Sequence, residues 1–302
     1  MQNPLIFDVK RYAINDGPGI RVTIFFKGCN LNCAWCHNPE SIIPTAQKMY
    51  SKDKCIGCGT CVEVCPTEAI TLTPDGIVTD LELCRLCGKC AEVCPTKATE
   101  ISGHEESVEE IMNIIEREQV FFDQSGGGVT FSGGEPLMHS SFLIKLLDAC
   151  GERGIHRVVD TTGMAKTETL LDVAKRTELF LYDLKVFDSE RHKKWTGKGN
   201  EKILENLKIL SERGASINIR IPIIKGVNDD TENIEATAKF IASLAGDKKQ
   251  VNLLPYHNIA QKKYEKLGRE WKLDEMAEPS KKEQAEIISQ FAKYGLTAQV
   301  GG

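Results

Sequence analysis

Arg21-Val22-Thr23-Ile24-Phe25-Phe26, followed at once by Lys27-Gly28-Cys29-Asn30-Leu31-Asn32-Cys33-Ala34-Trp35-Cys36-His37-Asn38-Pro39-Glu40, decides how the rest of the chain is read. After Arg21 the next five residues are all β-branched or aromatic and predict a strand. The second stretch leaves that strand as a loop with three thiols spaced C-x3-C-x2-C. A cubane iron–sulfur cluster has four irons to ligate, so three local cysteines leave one iron open. An open metal position marks a catalytic site, as zinc enzymes illustrate. The competing readings are a zinc site completed by His37, or disulfides. The spacing suits a cubane better than either.

Working outward, Asp16-Gly17-Pro18-Gly19-Ile20-Arg21 precedes the strand. Its Asp-Gly-Pro-Gly core predicts a turn, because Gly supplies unusual backbone angles and Pro fixes its own. Together with Cys29, Cys33, Cys36 and His37-Asn38-Pro39-Glu40, this segment resembles the radical S-adenosylmethionine superfamily. Within it, the chain is similar to the glycyl-radical-enzyme activating enzymes, the pyruvate formate-lyase activase group. The resemblance runs over nearly the whole chain.

Bulk properties fit an ordinary soluble protein. The chain has 302 residues, 41% hydrophobic and 27% charged, enough for one large core or two domains. A net charge of -5 gives no reason to expect nucleic acid or an anionic membrane as partner. No apolar run approaches the length that spans a bilayer. Met1 to Asp8 lacks a basic region followed by an apolar stretch, so a cytoplasmic location is expected. Of 12 cysteines only Cys150 lies beyond residue 94. Clustered C-x2-C spacings in such a chain point to metal rather than disulfides. Oxygen-labile clusters imply an anaerobic setting.

Two further runs read C-x2-C-x2-C-x3-C-P: Cys55, Cys58, Cys61, Cys65 with Pro66, and Cys84, Cys87, Cys90, Cys94 with Pro95. This is an internal duplication joined through Pro74-Asp75-Gly76. It matches two-cluster bacterial ferredoxins, in which the fourth cysteine of each run serves the other cluster. One cluster is therefore assigned to Cys55, Cys58, Cys61 and Cys94, the other to Cys84, Cys87, Cys90 and Cys65. Two zinc sites are the alternative, and zinc spacings rarely repeat in this form. Residues 47–102 are expected to be an inserted ferredoxin-like domain, with 1–46 and 103–302 forming the main one.

From Ser107, whose capping box with Glu110 opens a helix, strands and helices alternate. Strands are predicted at Val129–Phe131, His156–Asp160, Leu179–Lys185, Ser216–Pro222 and Gln250–Leu254, with a short one at Thr297–Val300. Helices are predicted at Ser141–Arg153, Thr167–Arg176, Glu201–Arg213 and Thr231–Ala245, and a final one opens on a Ser280 capping box. Alternation implies an α/β fold with a parallel sheet. Six main strands are too few for a closed eight-stranded barrel. A partial (β/α)6 barrel is the expectation, in line with the resemblance, and an open doubly wound sheet is the alternative. Gly126-Gly127-Gly128 lacks the Lys-Ser/Thr of a phosphate loop and reads as a flexible connector. Cys150 falls in an apolar helix pattern and reads as a buried thiol.

In parallel α/β folds reactive groups collect at the C-terminal strand ends. Here Cys29, Gly133-Gly134-Glu135, Asp160-Thr161, Asp183-Leu184-Lys185, Arg220 and His257 recur at that rim. The resemblance implies that Ser132-Gly133-Gly134-Glu135-Pro136 binds the methionine part of S-adenosylmethionine. It also places Asp160, Thr161, Asp183, Leu184 and Lys185 around that ligand. Carboxylates suit its sulfonium and α-amino groups, and Lys or Arg suits its carboxylate. Asp160, Thr161 and Asp183 would also hold a small monovalent cation. Leu254-Pro255-Tyr256-His257 resembles the motif whose histidine meets the nucleoside, while Trp35 and His37 pack against cluster and adenine. Arg220 is a candidate for the ligand, the partner or bracing of the barrel.

The resemblance implies an oxidoreductase with three [4Fe-4S] clusters. One electron would cleave S-adenosylmethionine to a 5′-deoxyadenosyl radical, which takes a hydrogen atom from a backbone glycine of a partner glycyl radical enzyme. Asp16 is the expected contact to the glycine loop, and Lys185 belongs to the catalytic set. The ferredoxin insert points to a dehydratase, decarboxylase or C–N/C–S lyase as partner rather than pyruvate formate-lyase, with flavodoxin or ferredoxin as electron donor. Two other readings are a radical enzyme acting directly on a small molecule or peptide, and a non-catalytic electron carrier. The carrier leaves two-thirds of the chain unexplained.

Overall fold

A computed structural model describes residues 3–247, 249–271 and 276–301. β1 (Leu5–Ala13) and β2 (Arg21–Phe26) pair antiparallel across the Asp16-Gly17-Pro18-Gly19 turn. β3 (Gln47–Tyr50), α1 (Thr60–Glu63), β4 (Ile70–Thr73), β5 (Gly76–Thr79), α2 (Lys89–Glu92) and β6 (Thr99–Ser102) follow, and β7 (His104–Glu105) returns to β1. α3 (Val108–Glu116) and α4 (Gln119–Ser125) lead into β8 (Gly128–Gly133). Then come α5 (Ser140–Glu152), β9 (His156–Thr161), α6 (Thr167–Ala174), β10 (Leu179–Asp183), α7 (Ser189–Thr196), α8 (Glu201–Glu212) and β11 (Ile217–Ile223). α9 (Thr231–Ala242), β12 (Gln250–Pro255), α10 (Gln261–Lys266), α11 (Lys281–Lys293) and β13 (Ala298–Val300) complete the chain. No helix among the described residues is long and apolar enough to cross a membrane.

Among the described residues nine strands form one sheet in the order β13-β12-β11-β10-β9-β8-β2-β1-β7. From β2 to β13 every neighbour is parallel. Each new strand is added on the same side, so the order never reverses as a doubly wound sheet must. The sheet's outer strands are β7 and β13. The face of the parallel strands that the helices cover is apolar, while the opposite face carries Thr130, Ser132, Asp160, Asn218, Arg220 and Asn252. Val22, Ile24, Val129, Phe131, Val159, Ile219, Ile221 and Leu253 lie in one core with Leu143, Leu147, Leu207 and Ile234 of the helices.

Both expected capping boxes form, at Ser107 with Glu110 and at Ser280 with Glu283. α7 was not legible: Ser189-Glu190-Arg191-His192-Lys193-Lys194 carries no apolar stripe, and the helix starts because Asp188 accepts from the Arg191 amide. Gly126-Gly127-Gly128 is not a flexible connector. A Cβ on Gly127 would stand 1.8 Å from the Ile20 carbonyl oxygen, and Gly128 is already part of β8. The glycines are there to let two backbones touch. Cys150 is fully buried, 3.6 Å from the Met112 sulfur.

Arg21 is a cation inside the sheet, with no exposed surface. Its guanidinium donates to Thr130 Oγ1 at 2.7 Å, to Val129 O at 2.6 Å, to His156 O at 3.0 Å and to Pro18 O at 2.9 Å. One side chain thus ties β2 to β8, β9 and the turn. Burial lowers its pKa to about 10, against the pull of Asp16, so it stays charged. Arg21→Met keeps the bulk and strands those acceptors. It is expected to cost about 3 kcal/mol, a fall of roughly 6 to 12 °C in Tm, readable by calorimetry. An unchanged Tm would mean the network adds nothing net.

Residues 47–102 build two two-stranded sheets of their own, β3–β6 and β4–β5. The sequence repeat returns in the backbone. Glu68 and Lys97, each three residues after the last cysteine of its run, adopt φ of 54° and 52°. The Ala69 and Ala98 amides donate to Cys65 Sγ and Cys94 Sγ at 3.3 and 3.2 Å.

Candidate active site

A cavity of about 290 Å³ opens at the C-terminal ends of the parallel strands. The loop after β2 forms one wall. Its backbone is fixed by neighbours: Gly28 N donates to Ser41 O at 2.7 Å, Asn32 N to Thr196 O at 2.8 Å and Ala34 N to Trp195 O at 2.9 Å. Cys29, Cys33 and Cys36 all face the cavity, beside Trp35 and His37. Burial pushes their thiols up to about 12, 12 and 11, with Lys185 acting against the rise at each. Thiolates there require a bound group that brings positive charge, which is what an iron–sulfur cluster supplies. The three cysteines therefore fit the cluster that their spacing suggests.

Strand parity decides what else faces inward, because successive side chains alternate across a sheet. On β9 and its continuation Asp160 and Thr162 line the cavity, and Thr161 between them does not. At the end of β10 Asp183 lines it and Lys185 follows two residues on, while Leu184 turns into the core. On β11 Arg220 and Pro222 line it, and Leu254 of β12 and Tyr256 just past its end do so rather than His257. His257 is half-exposed, 3.5 Å from Glu278. Asp16 reaches the cavity from its turn, held by Thr23 Oγ1, which donates to its carboxylate at 2.8 Å.

The charges are arranged in facing pairs. Lys185 Nζ donates to Asp183 Oδ2 at 2.9 Å. Burial works against the lysine's charge, but Asp183 and the thiols of Cys33 and Cys29 outweigh it, and the net shift is upward. Asp160 is pushed up to about 6 by burial, with Arg220 opposing and Asp183 adding to the shift. Ser132 Oγ donates to its Oδ2 at 2.6 Å, and Arg220 Nη1 stands 3.4 Å away. Arg220 Nε and Nη1 are buried and donate to nothing. An arginine with unspent donors at a cavity wall suits an anionic group.

Gly133 and Gly134 line the cavity, and their backbone is stapled to the cysteine loop. Gly134 N donates to Phe26 O and Glu135 N to Gly28 O, both at 2.8 Å. A Cβ on Gly134 would stand 2.1 Å from Gly28 O, so only glycine lets the two loops touch. Glu135 is fully buried and does not line the cavity. It accepts from Leu137 N at 3.1 Å, Thr161 Oγ1 at 2.6 Å, Thr162 N at 2.9 Å and Thr162 Oγ1 at 2.6 Å. Burial raises its pKa while these donors oppose the shift. Its place is behind the glycines, joining β8 to β9.

Sequence reasoning missed Thr162 and named Ser132 and Tyr256 only as members of their motifs; the parity of their strands could have singled out all three. It also missed Lys263, for which no local pattern exists. From α10 its Nζ donates to Asn38 Oδ1 and to Glu40 Oε1, both at 2.6 Å and more than 220 residues away in sequence.

The eight cysteines of residues 47–102 gather in two small recesses. The first is lined by Cys55, Cys58, Cys61 and Cys94, the second by Cys65, Cys84, Cys87 and Cys90. Each takes three cysteines from one run and the fourth from the other. Among the described residues, no three His, Cys, Asp or Glu are arranged to hold a single metal ion.

Comparison with known proteins agrees with this geometry. Residues 23–241 match the Radical SAM superfamily. The trans-4-hydroxy-L-proline dehydratase activating enzyme of Clostridioides difficile is 45% identical over 303 residues, covering 99% of this chain and 100% of the relative. The choline trimethylamine-lyase activating enzyme of Oleidesulfovibrio alaskensis is 39% identical, covering 89% of each. The crystal structure of a domain of pyruvate-formate lyase-activating enzyme from Bacteroides vulgatus aligns with a TM-score of 0.51 at 44% identity, over 58% of this chain and 99% of that one. With its three cysteines on one cavity, and relatives this similar along its whole length, the chain belongs to the radical SAM superfamily, in the group of the glycyl-radical-enzyme activating enzymes.

Proposed function

We propose that this chain installs the glycyl radical of a dehydratase, decarboxylase or C–N/C–S lyase rather than of pyruvate formate-lyase. A dehydratase is the first candidate, since a relative 45% identical over 99% of this chain is a dehydratase activating enzyme. The supporting observation is convergence: three thiols of one loop, with Asp160, Asp183, Lys185 and Arg220 from three further strands, face a single cavity of ligand size.

In this reading Cys29, Cys33 and Cys36 hold a [4Fe-4S] cluster with one open iron. Bound S-adenosylmethionine and this cluster supply one-electron cleavage and a hydrogen-abstracting radical. The chain orients them. The Gly133-Gly134 backbone lies along the methionine part, with Glu135 and Thr161 bracing it from behind. Asp160 and Asp183 suit the sulfonium and amino groups, and Lys185 and Arg220 the carboxylate. Trp35, His37 and Tyr256 wall the nucleoside, with His257 at the rim and Leu184 contributing through its backbone. Thr161 faces away from the cavity and donates to Glu135, so a monovalent cation would draw mainly on Asp160 and Asp183. Asp16 meets the partner's glycine loop. The scaffold is a partial (β/α)6 barrel of residues 1–46 and 103–302, and residues 47–102 are a ferredoxin-like insert with two further clusters that accept electrons from flavodoxin or ferredoxin.

The test is anaerobic incubation of reconstituted protein with S-adenosylmethionine, reductant and a candidate dehydratase. An electron paramagnetic resonance doublet on the dehydratase, matched by 5′-deoxyadenosine, is expected. Full release of 5′-deoxyadenosine with no doublet on any partner of these classes would overturn the assignment. The relay role has its own check. Cys58→Ala is expected to lose cleavage driven by a protein donor while keeping most of that driven by dithionite. Equal loss with both, the barrel cluster being intact, would remove the relay.

A further inference from the structure

One ammonium group stands between the two cysteine recesses. Lys48 of β3 is directly opposite Ile101 of β6 and two residues before Tyr50. Residues opposed across an antiparallel ladder share a face, and so do residues two apart on a strand. Lys48, Ile101 and Tyr50 therefore rise on the same side of the β3–β6 pair. Tyr50 lines the first recess and Ile101 the second. The far end of the lysine is anchored, its Nζ donating to Thr79 Oγ1 at 2.7 Å. Thr79 is paired with Ile70, which lines the second recess, and lies two residues from Ile77, which lines the first. Both ends of the side chain are thus placed at the boundary of the two sites.

We infer that Lys48 is the shared counter-cation of the two insert clusters and raises the reduction potential of both. The inference rests on the two-cluster reading of residues 47–102 given above. Each reduction adds a negative charge to a cluster already surrounded by thiolates, and a second anionic cluster beside it makes that harder. A fixed cation between them favours the reduced form of each. Its half-buried position limits screening by salt. The hydrogen bond to Thr79 holds a side chain that would otherwise be free to turn away. Lys48 is a positioning and tuning residue and touches no substrate.

The experiment is a redox titration followed by electron paramagnetic resonance on the full chain, reconstituted anaerobically. Cys29, Cys33 and Cys36 are replaced by Ala so that only insert signals remain. Iron is counted first. About 8 iron per chain is expected for two cubanes, and iron near zero would overturn the cluster reading and this inference with it. In Lys48→Met both midpoint potentials are expected to move downward, and in Lys48→Arg both are expected to return toward the parent. At full iron content, unmoved potentials, or a shift confined to one cluster, would overturn the role of Lys48 alone. If Lys48→Met does not load iron, Thr79→Val decides. It keeps the charge but frees it, and a smaller downward shift of both clusters supports the inference, while no shift overturns it.

Discussion

Cys33→Ala protein, reconstituted anaerobically, is expected to hold about 8 iron per chain where the parent holds about 12, and to release no 5′-deoxyadenosine above background. The loss should be at least about 10³-fold, the scale on which removal of a reacting group usually registers. Cys33 is fixed by its neighbours rather than by chance rotamers, since the Ala34 and Asn32 amides are bonded to Trp195 and Thr196. No other thiol can take its place. Cys150 is fully buried against Met112, and the remaining cysteines outside the loop line the two recesses of residues 47–102. The insert should keep its iron, so the colour and the residual 8 iron distinguish a lost site from a lost fold. The measurement pairs iron and sulfide analysis with chromatography of the nucleoside product after dithionite. Cleavage surviving at more than a few per cent of the parent rate would mean that the loop is not where S-adenosylmethionine is split, and the functional reading would go with it.

Why was so much of this site open to reading from residues alone, and where did that reading lose its way? Each parallel strand is a short apolar run that stops at a polar or glycine-rich group, so strand ends and rim chemistry announce themselves together. Cys29, Gly133, Gly134, Asp160, Asp183, Lys185 and Arg220 were found in that way, and all line the cavity. The losses came from taking neighbours in pairs. Thr161, Leu184 and His257 each stand next to a cavity residue and, having the opposite parity, face elsewhere. A period of two applied from Asp160, Asp183 and Leu254 would have sorted them and singled out Thr162 and Tyr256. Glu135 shows a different limit. Its motif marks it as important, yet only the fold reveals that its carboxylate braces Thr161 and Thr162. Lys263 marks the far limit, because a contact across more than 220 residues leaves no periodicity to detect. The reading of Gly126-Gly127-Gly128 failed for a related reason. Glycines that loosen a chain and glycines that admit a neighbouring backbone look alike until the neighbour, here Ile20, is in place.

Arg220→Met is expected to raise the concentration of S-adenosylmethionine needed for half-maximal cleavage by about 10²-fold, with a much smaller effect on the rate at saturation. A hydrogen bond to a charged group is worth roughly 1.5 to 3 kcal/mol, and a factor of ten in affinity corresponds to about 1.4 kcal/mol. Losing one or two such bonds to a carboxylate gives the predicted range. The guanidinium is suited to that task because it is already in place and unspent: its side chain is 15% exposed, and Nε and Nη1 have no acceptor. The Asp160 carboxylate, 3.4 Å from Nη1, takes part of the charge but forms no hydrogen bond with it. If Arg220 merely braced the sheet, replacing it would lower Tm and leave the half-saturation point where it was. If it served the protein partner instead, cleavage without partner would be untouched and only radical transfer to the partner would fall. Titrating S-adenosylmethionine in the uncoupled cleavage assay, with thermal unfolding measured on the same samples, separates the three. Arg220→Lys sharpens the comparison. It keeps the charge but loses the planar fork that can grip two oxygens at once, so it should recover only part of the affinity. Full recovery by lysine would show that charge alone, and not the directed pair of donors, is what the ligand meets at this wall.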